Sequence, residues 1–170
     1  IWVAQQSSNL IPRDSIIHFG ILNSLRSWNF FEIDDTIISD CNVGGFGIDG
    51  ILSTIVGASL AQPKKIHFCV LGDLAFFYDI NALGNRHIDS NLRIIVVNNG
   101  VGQEFRNPTF ENNYHFGEDF NPYIGAKGHY AQQSTELLKH FATDLGFEYL
   151  SAKNKDEFKE QVMHFFSPGT

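Results

Sequence analysis

Five short runs of apolar and β-branched residues alternate along the chain with segments that have the period of an amphipathic helix. The apolar runs, each predicted to be a buried strand, cover residues 16–19, 36–39, 66–71, 92–97 and 147–150. The helical periods cover residues 48–56, 76–83, 137–145 and 158–166. Strands that alternate with single helices form βαβ units, so we predict an α/β fold with a mostly parallel sheet and helices on both faces.

The length of 170 residues fits one domain of this class. Residues 1–15 have mixed polarity and contain Pro12, and we predict that they are a linker from a preceding domain. Residues 16–170 are then the folded domain. The only methionine is Met163, so the chain is expected to be a fragment of a longer polypeptide.

The charge balance narrows the possible partners. Lys and Arg number 12 against 19 Asp and Glu, which gives a net charge of −7 at pH 7. A chain this acidic is not expected to bind nucleic acid, and it would repel a free diphosphate unless a metal cation lay between them. No apolar stretch approaches the roughly 20 residues that a membrane-spanning helix needs. The two cysteines form no CxxC pair, and we expect a cytoplasmic location.

A glycine-rich turn follows the second predicted strand. Gly45, Gly47 and Gly50 spell G-x-G-x-x-G, and Asp73 follows the next strand. This pattern is similar to a dinucleotide-binding fingerprint, in which the acidic residue binds a ribose hydroxyl. A domain that binds NAD or FAD in an oxidoreductase is therefore one hypothesis. A non-catalytic module that binds a nucleotide or another cofactor is a second.

A different pair of residues indicates a metal site. Gly72-Asp73 ends the third predicted strand, and Asn98-Asn99 ends the next one after about 25 residues. Adjacent parallel strands end at the same edge of the sheet, so the carboxylate of Asp73 and the amide oxygen of Asn99 are expected to face each other. Hard oxygen ligands of this kind suit Mg²⁺, which retains sites for water and phosphate oxygens. The alternative is structural, with Asp73 capping a helix and the asparagines forming a turn.

Four segments resemble known enzymes. One motif of thiamine-diphosphate-dependent enzymes is a Gly-Asp pair followed after about 25 residues by an Asn-Asn pair, and Gly72-Asp73 with Asn98-Asn99 is similar to it. Residues 72–83 resemble the GDLSFLYDLN segment of one such family, the MenD-type 2-succinyl-5-enolpyruvyl-6-hydroxy-3-cyclohexene-1-carboxylate synthases of menaquinone biosynthesis. Residues 46–54 resemble its SGIDGLLST, residues 98–105 its NNNGGQIF, and Asn23-Ser24 its Asn-Ser pair. The resemblance covers residues 10 to 150.

The resemblance implies roles for individual residues. Asp73, Asn99 and the main-chain oxygen of Val101 would hold Mg²⁺ and, through it, the diphosphate. Ile48 would press the cofactor into its bent conformation, and the carbonyl of Phe46 would accept from the aminopyrimidine. The cofactor-binding set is Gly47, Ile48, Gly72, Asp73, Leu74, Asn99, Val101 and Gln103, and the substrate pocket would include Asn23, Ser24 and Phe105.

The resemblance also implies partners. In this class a glutamate on a separate pyrimidine-binding domain protonates the cofactor ring, and no segment here matches that domain. The chain is therefore expected to be the diphosphate-binding half of a homodimer or homotetramer that decarboxylates a 2-oxoacid, and to be inactive alone.

Two departures concern the substrate. Where the family has arginines that suit substrate carboxylates, this chain has Trp28 and Val43, although Arg26 is near the first position. The substrates are thus either the 2-oxoglutarate and isochorismate of the family or, in a paralogue, a different 2-oxoacid.

Overall fold

The computed structural model describes residues 1–45, 47–106, 117–129 and 133–168. In these ranges one sheet of four parallel strands forms the centre, with the strand order β2-β1-β3-β4. The strands are β1 (Ile16–Phe19), β2 (Ile38–Cys41), β3 (His67–Gly72) and β4 (Leu92–Val97). The α-helices are α1 (Trp2–Ser7), α2 (Asn23–Trp28), α3 (Ile51–Ala61), α4 (Asp73–Tyr78), α5 (Leu137–Asp144) and α6 (Lys155–Phe166). Shorter helical turns cover Ser8–Leu10, Ile80–Gly84, Gln103–Arg106, Gly117–Asp119 and Phe120–Ile124.

Helices cover both faces of the sheet. Side chains alternate along each strand, so each strand contributes residues to two cores. Ile17, Phe19, Phe68 and Val70 face a core that also contains residues of α1, α2 and α6. Ile16, Cys69 and Leu71 face the other core, which contains residues of α3, α4 and α5. The predicted parallel sheet with helices on both faces is confirmed.

The strand predictions differ in accuracy. The runs 16–19 and 92–97 are β1 and β4 without change, the run 66–71 is shifted by one residue, and the run 36–39 is shifted by two. Residues 147–150, predicted to be a fifth strand, have no regular structure. The amide of Phe147 donates to the carbonyl of Ala142 at 2.9 Å, and Gly146, with φ +84°, donates to Thr143. These two bonds end α5 in the left-handed turn common at helix ends, and they hold Phe147 there.

Residues 1–15 are folded against the domain. Ala4 on α1 is 1% exposed, Ile11 is buried in the same core, and the ring of Trp2 packs edge-on against Phe158 of α6 at 5.5 Å. The segment therefore contributes to one of the two cores. That it also connects to a preceding domain stays a prediction.

The strand order reverses its direction at one point along the carboxyl edge of the sheet. The chain passes from β1 to β2 on one side, returns across β1 to β3, and continues to β4. In open parallel sheets, ligands bind beside the carboxyl ends of the strands at such a reversal, here between β1 and β3. Of the helices in the described ranges, none is long and apolar enough to cross a membrane.

Candidate functional site

Asp73 lies at the carboxyl end of β3 and is the first residue of α4. It is 3% exposed, and its Oδ2 atom accepts a hydrogen bond from the amide of Gly100 at 3.0 Å. Burial raises the pKa of this carboxyl group, and this effect exceeds that of the backbone N–H groups of residues 73, 74, 99 and 100, which lower it. A buried carboxylate that ionises reluctantly is a group whose charge a bound cation would stabilise.

Asn99 lies next to Asp73, in the turn that follows β4. Its Oδ1 atom accepts from the amide of Val101 at 3.2 Å, one residue beyond the amide that bonds Asp73. Gly100 adopts φ +68°, a left-handed conformation that suits glycine. Only the bond from Gly100 to Asp73 joins the end of β3 to this turn, whereas the bond of Asn99 lies within the turn itself. That the two side chains share a metal ion stays a prediction.

The donor set fits Mg²⁺ in its chemistry. A carboxylate, an amide oxygen and a backbone carbonyl are hard ligands, and an Mg²⁺ site keeps water and phosphate oxygens in its remaining positions. Among the residues that the structure describes, there is no cluster of three or more His, Cys, Asp or Glu side chains suited to a metal. The set predicted here needs only one such side chain, Asp73.

Gly72 fits a ligand that approaches the backbone. Its φ of −81° and ψ of 163° are open to any residue, and a Cβ atom there would meet no atom within 4 Å. The fold itself therefore leaves space at this glycine. Gly20, which follows β1, is different, because a Cβ there would lie 3.1 Å from the Cβ of Leu71.

The loop between β2 and α3 carries Gly47 and Ile48. Ile48 is partly buried and packs against the core formed by α3, α4 and α5. A Cβ on Gly47 would meet only the end of the Asp49 side chain, which can move away, so the fold does not require glycine at this position. Gly50 precedes α3 and adopts φ +73°, a conformation that favours glycine. Phe46 lies outside the described residues, and its role stays a prediction.

Two side chains fix the start of α3. The Nδ2 atom of Asn42 donates to the carbonyl of Gly50 at 3.1 Å. Asp79, which follows α4, accepts from the amide of Ser53 with Oδ2 and from its hydroxyl with Oδ1, both at 2.6 Å. Asp79 therefore caps α3 from a neighbouring element.

The remaining predicted residues lie on two neighbouring elements. Asn23 and Ser24 begin α2 just after β1, with Asn23 exposed and Ser24 partly buried. Gln103 begins the turn Gln103–Arg106 and is partly buried, and Leu74 is close to the backbone of Gly102. The side chain of Phe105 lies outside the described residues.

An ion pair connects these two elements. Nη1 of Arg26 on α2 donates to both carboxylate oxygens of Glu104, at 2.6 and 2.5 Å. The side chain of Glu104 is 8% exposed and that of Arg26 is 51% exposed. The sequence pointed to Arg26 but not to its partner Glu104. One feature of the sequence could have indicated this partner: Glu104 stands where the family segment NNNGGQIF has isoleucine.

Sequence comparison finds known proteins that are similar to this chain. All three relatives described here have the name 2-succinyl-5-enolpyruvyl-6-hydroxy-3-cyclohexene-1-carboxylate synthase. The protein of Christiangramia forsetii is 37% identical over 165 residues, which is 96% of this chain and 26% of that protein. That of Bacteroides thetaiotaomicron is 34% identical over 93% of this chain and 27% of its own length. That of Bacteroides fragilis is 44% identical over 56% of this chain and 17% of its own length. No protein-family model matches the chain.

The fold and these relatives define the chain as a domain of the thiamine-diphosphate-dependent class of enzymes. Within that class it is a MenD-like domain, similar to a segment of the 2-succinyl-5-enolpyruvyl-6-hydroxy-3-cyclohexene-1-carboxylate synthases, and the resemblance seen in the motifs is confirmed. The chain spans about a quarter of the length of the relatives that match nearly all of it. Neither comparison nor fold favours the NAD- or FAD-binding alternative.

Proposed function

We propose that this domain holds Mg²⁺ and the diphosphate of thiamine diphosphate in an enzyme that decarboxylates a 2-oxoacid and transfers the remaining fragment to an acceptor. The observation that carries the proposal is the buried carboxylate of Asp73, hydrogen bonded to the turn that presents Asn99. The cofactor, when bound, supplies the electron sink for decarboxylation. The residues of this chain bind it, orient it and exclude water from it.

Each residue has a task in this proposal. Asp73, Asn99 and the carbonyl of Val101 coordinate Mg²⁺, which offsets the repulsion between the diphosphate and a domain of net charge −7. Gly72 leaves the space into which the diphosphate fits. Ile48 supports the bent cofactor, and the carbonyl of Phe46 accepts from its amino group. Gly47, Leu74 and Gln103 complete the binding surface.

The complete site needs a partner domain. We propose that a pyrimidine-binding domain, from the same or a second subunit, supplies the glutamate that protonates the cofactor ring. The enzyme is then a cytoplasmic homodimer or homotetramer, and this segment alone has no activity.

The substrate is either that of the related synthases or a different 2-oxoacid, and two side chains support the second possibility. Trp28 is 4% exposed and its ring packs 5.3 Å from that of Phe19, so it lies in the core. Val43 is 53% exposed and has no charge. Neither residue can bind a carboxylate as an arginine does. A paralogue that acts on a 2-oxoacid with an uncharged side chain would need neither arginine.

Calorimetry with the full-length gene product tests the function. We expect thiamine diphosphate to bind only when Mg²⁺ is present, and NAD and FAD not to bind. Tight binding of NAD without a thiamine signal would favour the oxidoreductase alternative. Cofactor binding with no release of CO₂ from any 2-oxoacid would favour the non-catalytic module.

A further inference from the structure

Three contacts hold alternate residues of the loop that follows β4. The amide of Gly100 donates to Asp73 at 3.0 Å, and the amide of Gly102 donates to the carbonyl of Gly125 at 2.6 Å. The carboxylate of Glu104 accepts both hydrogen bonds from Arg26. The three anchors come from three different parts of the chain, so the loop is fixed from three directions.

The two side chains of the third contact, the Arg26–Glu104 ion pair, differ in how far they are buried. The side chain of Glu104 is 8% exposed and that of Arg26 is 51% exposed. A buried carboxylate without a cation is strongly unfavourable, so Glu104 can occupy its place only while Arg26 pairs with it. The exposed guanidinium, by contrast, can be hydrated when its partner is lost.

The ion pair also spans the point between β1 and β3 where the strand order reverses. Arg26 belongs to α2, which follows β1, whereas Glu104 belongs to the turn that follows β4, and β3 with Asp73 lies between these two strands. The pair therefore connects the two sides of the carboxyl edge on which the Mg²⁺ ligands lie.

We propose that Arg26 is a positioning residue, which acts through Glu104 to hold the loop of residues 99–106 in the conformation that binds Mg²⁺ and diphosphate. This inference rests on the proposed function. It assigns Arg26 to the loop through Nη1, which donates both hydrogen bonds to Glu104.

The test uses Arg26→Ala, Glu104→Ala and the double variant in the full-length gene product, with Arg13→Ala as the matched control. Arg13 also pairs with an aspartate, Asp34 at 3.6 Å, but its side chain is 73% exposed. Calorimetry measures the affinity for thiamine diphosphate with Mg²⁺, and hydrogen exchange of the amides of Gly100 and Gly102 measures the order of the loop without any cofactor.

We expect Arg26→Ala to weaken binding about 10-fold to 100-fold, as for other groups that support metal ligands, and to speed exchange at both amides. Glu104→Ala should have a smaller effect, and the double variant should be no worse than Arg26→Ala because the uncompensated carboxylate is gone. Arg13→Ala should match the wild type.

Wild-type affinity and exchange in Arg26→Ala would overturn the inference, as would faster exchange without loss of affinity. If Arg26→Ala does not fold, Arg26→Gln and Glu104→Gln give the same comparison with smaller changes. A wild type that binds no thiamine diphosphate would refute the proposed function. Unchanged amide exchange in Arg26→Ala would separately refute the inference that the ion pair orders the loop.

Discussion

Oδ2 of Asp73 lies 3.0 Å from the amide nitrogen of Gly100, so the end of β3 and the turn after β4 are joined by one hydrogen bond. The loss of this carboxylate should remove a metal ligand and loosen the turn that presents Asn99. We expect Asp73→Ala to weaken Mg²⁺-dependent binding of thiamine diphosphate by at least about 100-fold. Calorimetry measures the affinity, and circular dichroism checks that the fold is kept.

Asp89→Ala is the control for this change, since Asp89 is exposed and its carboxylate bonds to the amide of the adjacent Ser90. Unchanged binding in Asp73→Ala would show that the metal site has been assigned to the wrong residue.

Ile48 should matter more for turnover than for stability. It is only partly buried, so Ile48→Ala should cost less than about 2 kcal/mol of unfolding free energy. If Ile48 orients the cofactor, kcat should fall about 100-fold with little change in cofactor affinity. Steady-state kinetics and urea unfolding separate the two effects. A large loss of stability with unchanged kcat would assign Ile48 to the core, and the exposed Ile38→Ala provides the baseline.

Stability should fall in mild acid because of two buried imidazoles. His18 is 3% exposed and His67 is 0% exposed, and burial lowers the pKa of each below 6.5. Between the lowered pKa and 6.5, the unfolded chain binds more protons than the folded chain. These two histidines therefore do not lower the unfolding free energy above pH 6.5. Below that pH the unfolding free energy declines, by at most about 1.4 kcal/mol per pH unit for each histidine.

Urea unfolding between pH 5 and pH 7 measures this slope. His67→Asn keeps a group that can bond the carbonyl of Lys65, which His67 contacts at 2.9 Å, and it should reduce the slope. The exposed His140→Asn should leave it unchanged. Equal slopes in the two variants would exclude His67 as a source of the pH dependence.

Asp79 should stabilise the domain through the first turn of α3. Asp79→Ala leaves the amide and hydroxyl of Ser53 without this acceptor, and the loss of a capping side chain costs about 1 kcal/mol. Thermal or urea unfolding measures the difference against Asp35→Ala, which removes an exposed carboxylate. A loss no larger than that of the control would mean that water replaces the cap without cost.

Local patterns were sufficient to predict most of the sheet. Runs of β-branched and apolar residues between polar segments are typical of strands in a parallel sheet, so β1 and β4 were predicted with their observed ends. Neighbouring parallel strands end at one edge, and the hydrogen bond from Gly100 to Asp73 joins the ends of β3 and β4 there; the shared metal site of Asp73 and Asn99 stays a prediction. The fifth strand was wrong because the same apolar pattern also fits a segment that packs without pairing, and Phe147 instead closes the turn after α5.

Long-range pairing was not accessible in the same way. Arg26 and Glu104 are separated by 78 positions, and no local sequence pattern around either residue predicts that they form a pair. The start of the chain was predicted as a linker because residues 1–15 have mixed polarity and contain Pro12. Its helix α1 is only six residues long, and the buried residues of that helix, Ala4 and Ser7, are small or polar. Its packing depends on contacts with α6.

The contrast between Gly20 and Gly72 has a consequence for selection. A Cβ at position 20 would lie 3.1 Å from the Cβ of Leu71, so a larger residue there requires its neighbours to shift, whereas the space beside Gly72 needs no such shift. In a library screened for folding alone, position 72 should therefore change more freely than position 20. Under selection for growth that depends on the cofactor, both glycines should be retained. A position that is retained only in this second screen is one that the ligand requires and the fold does not.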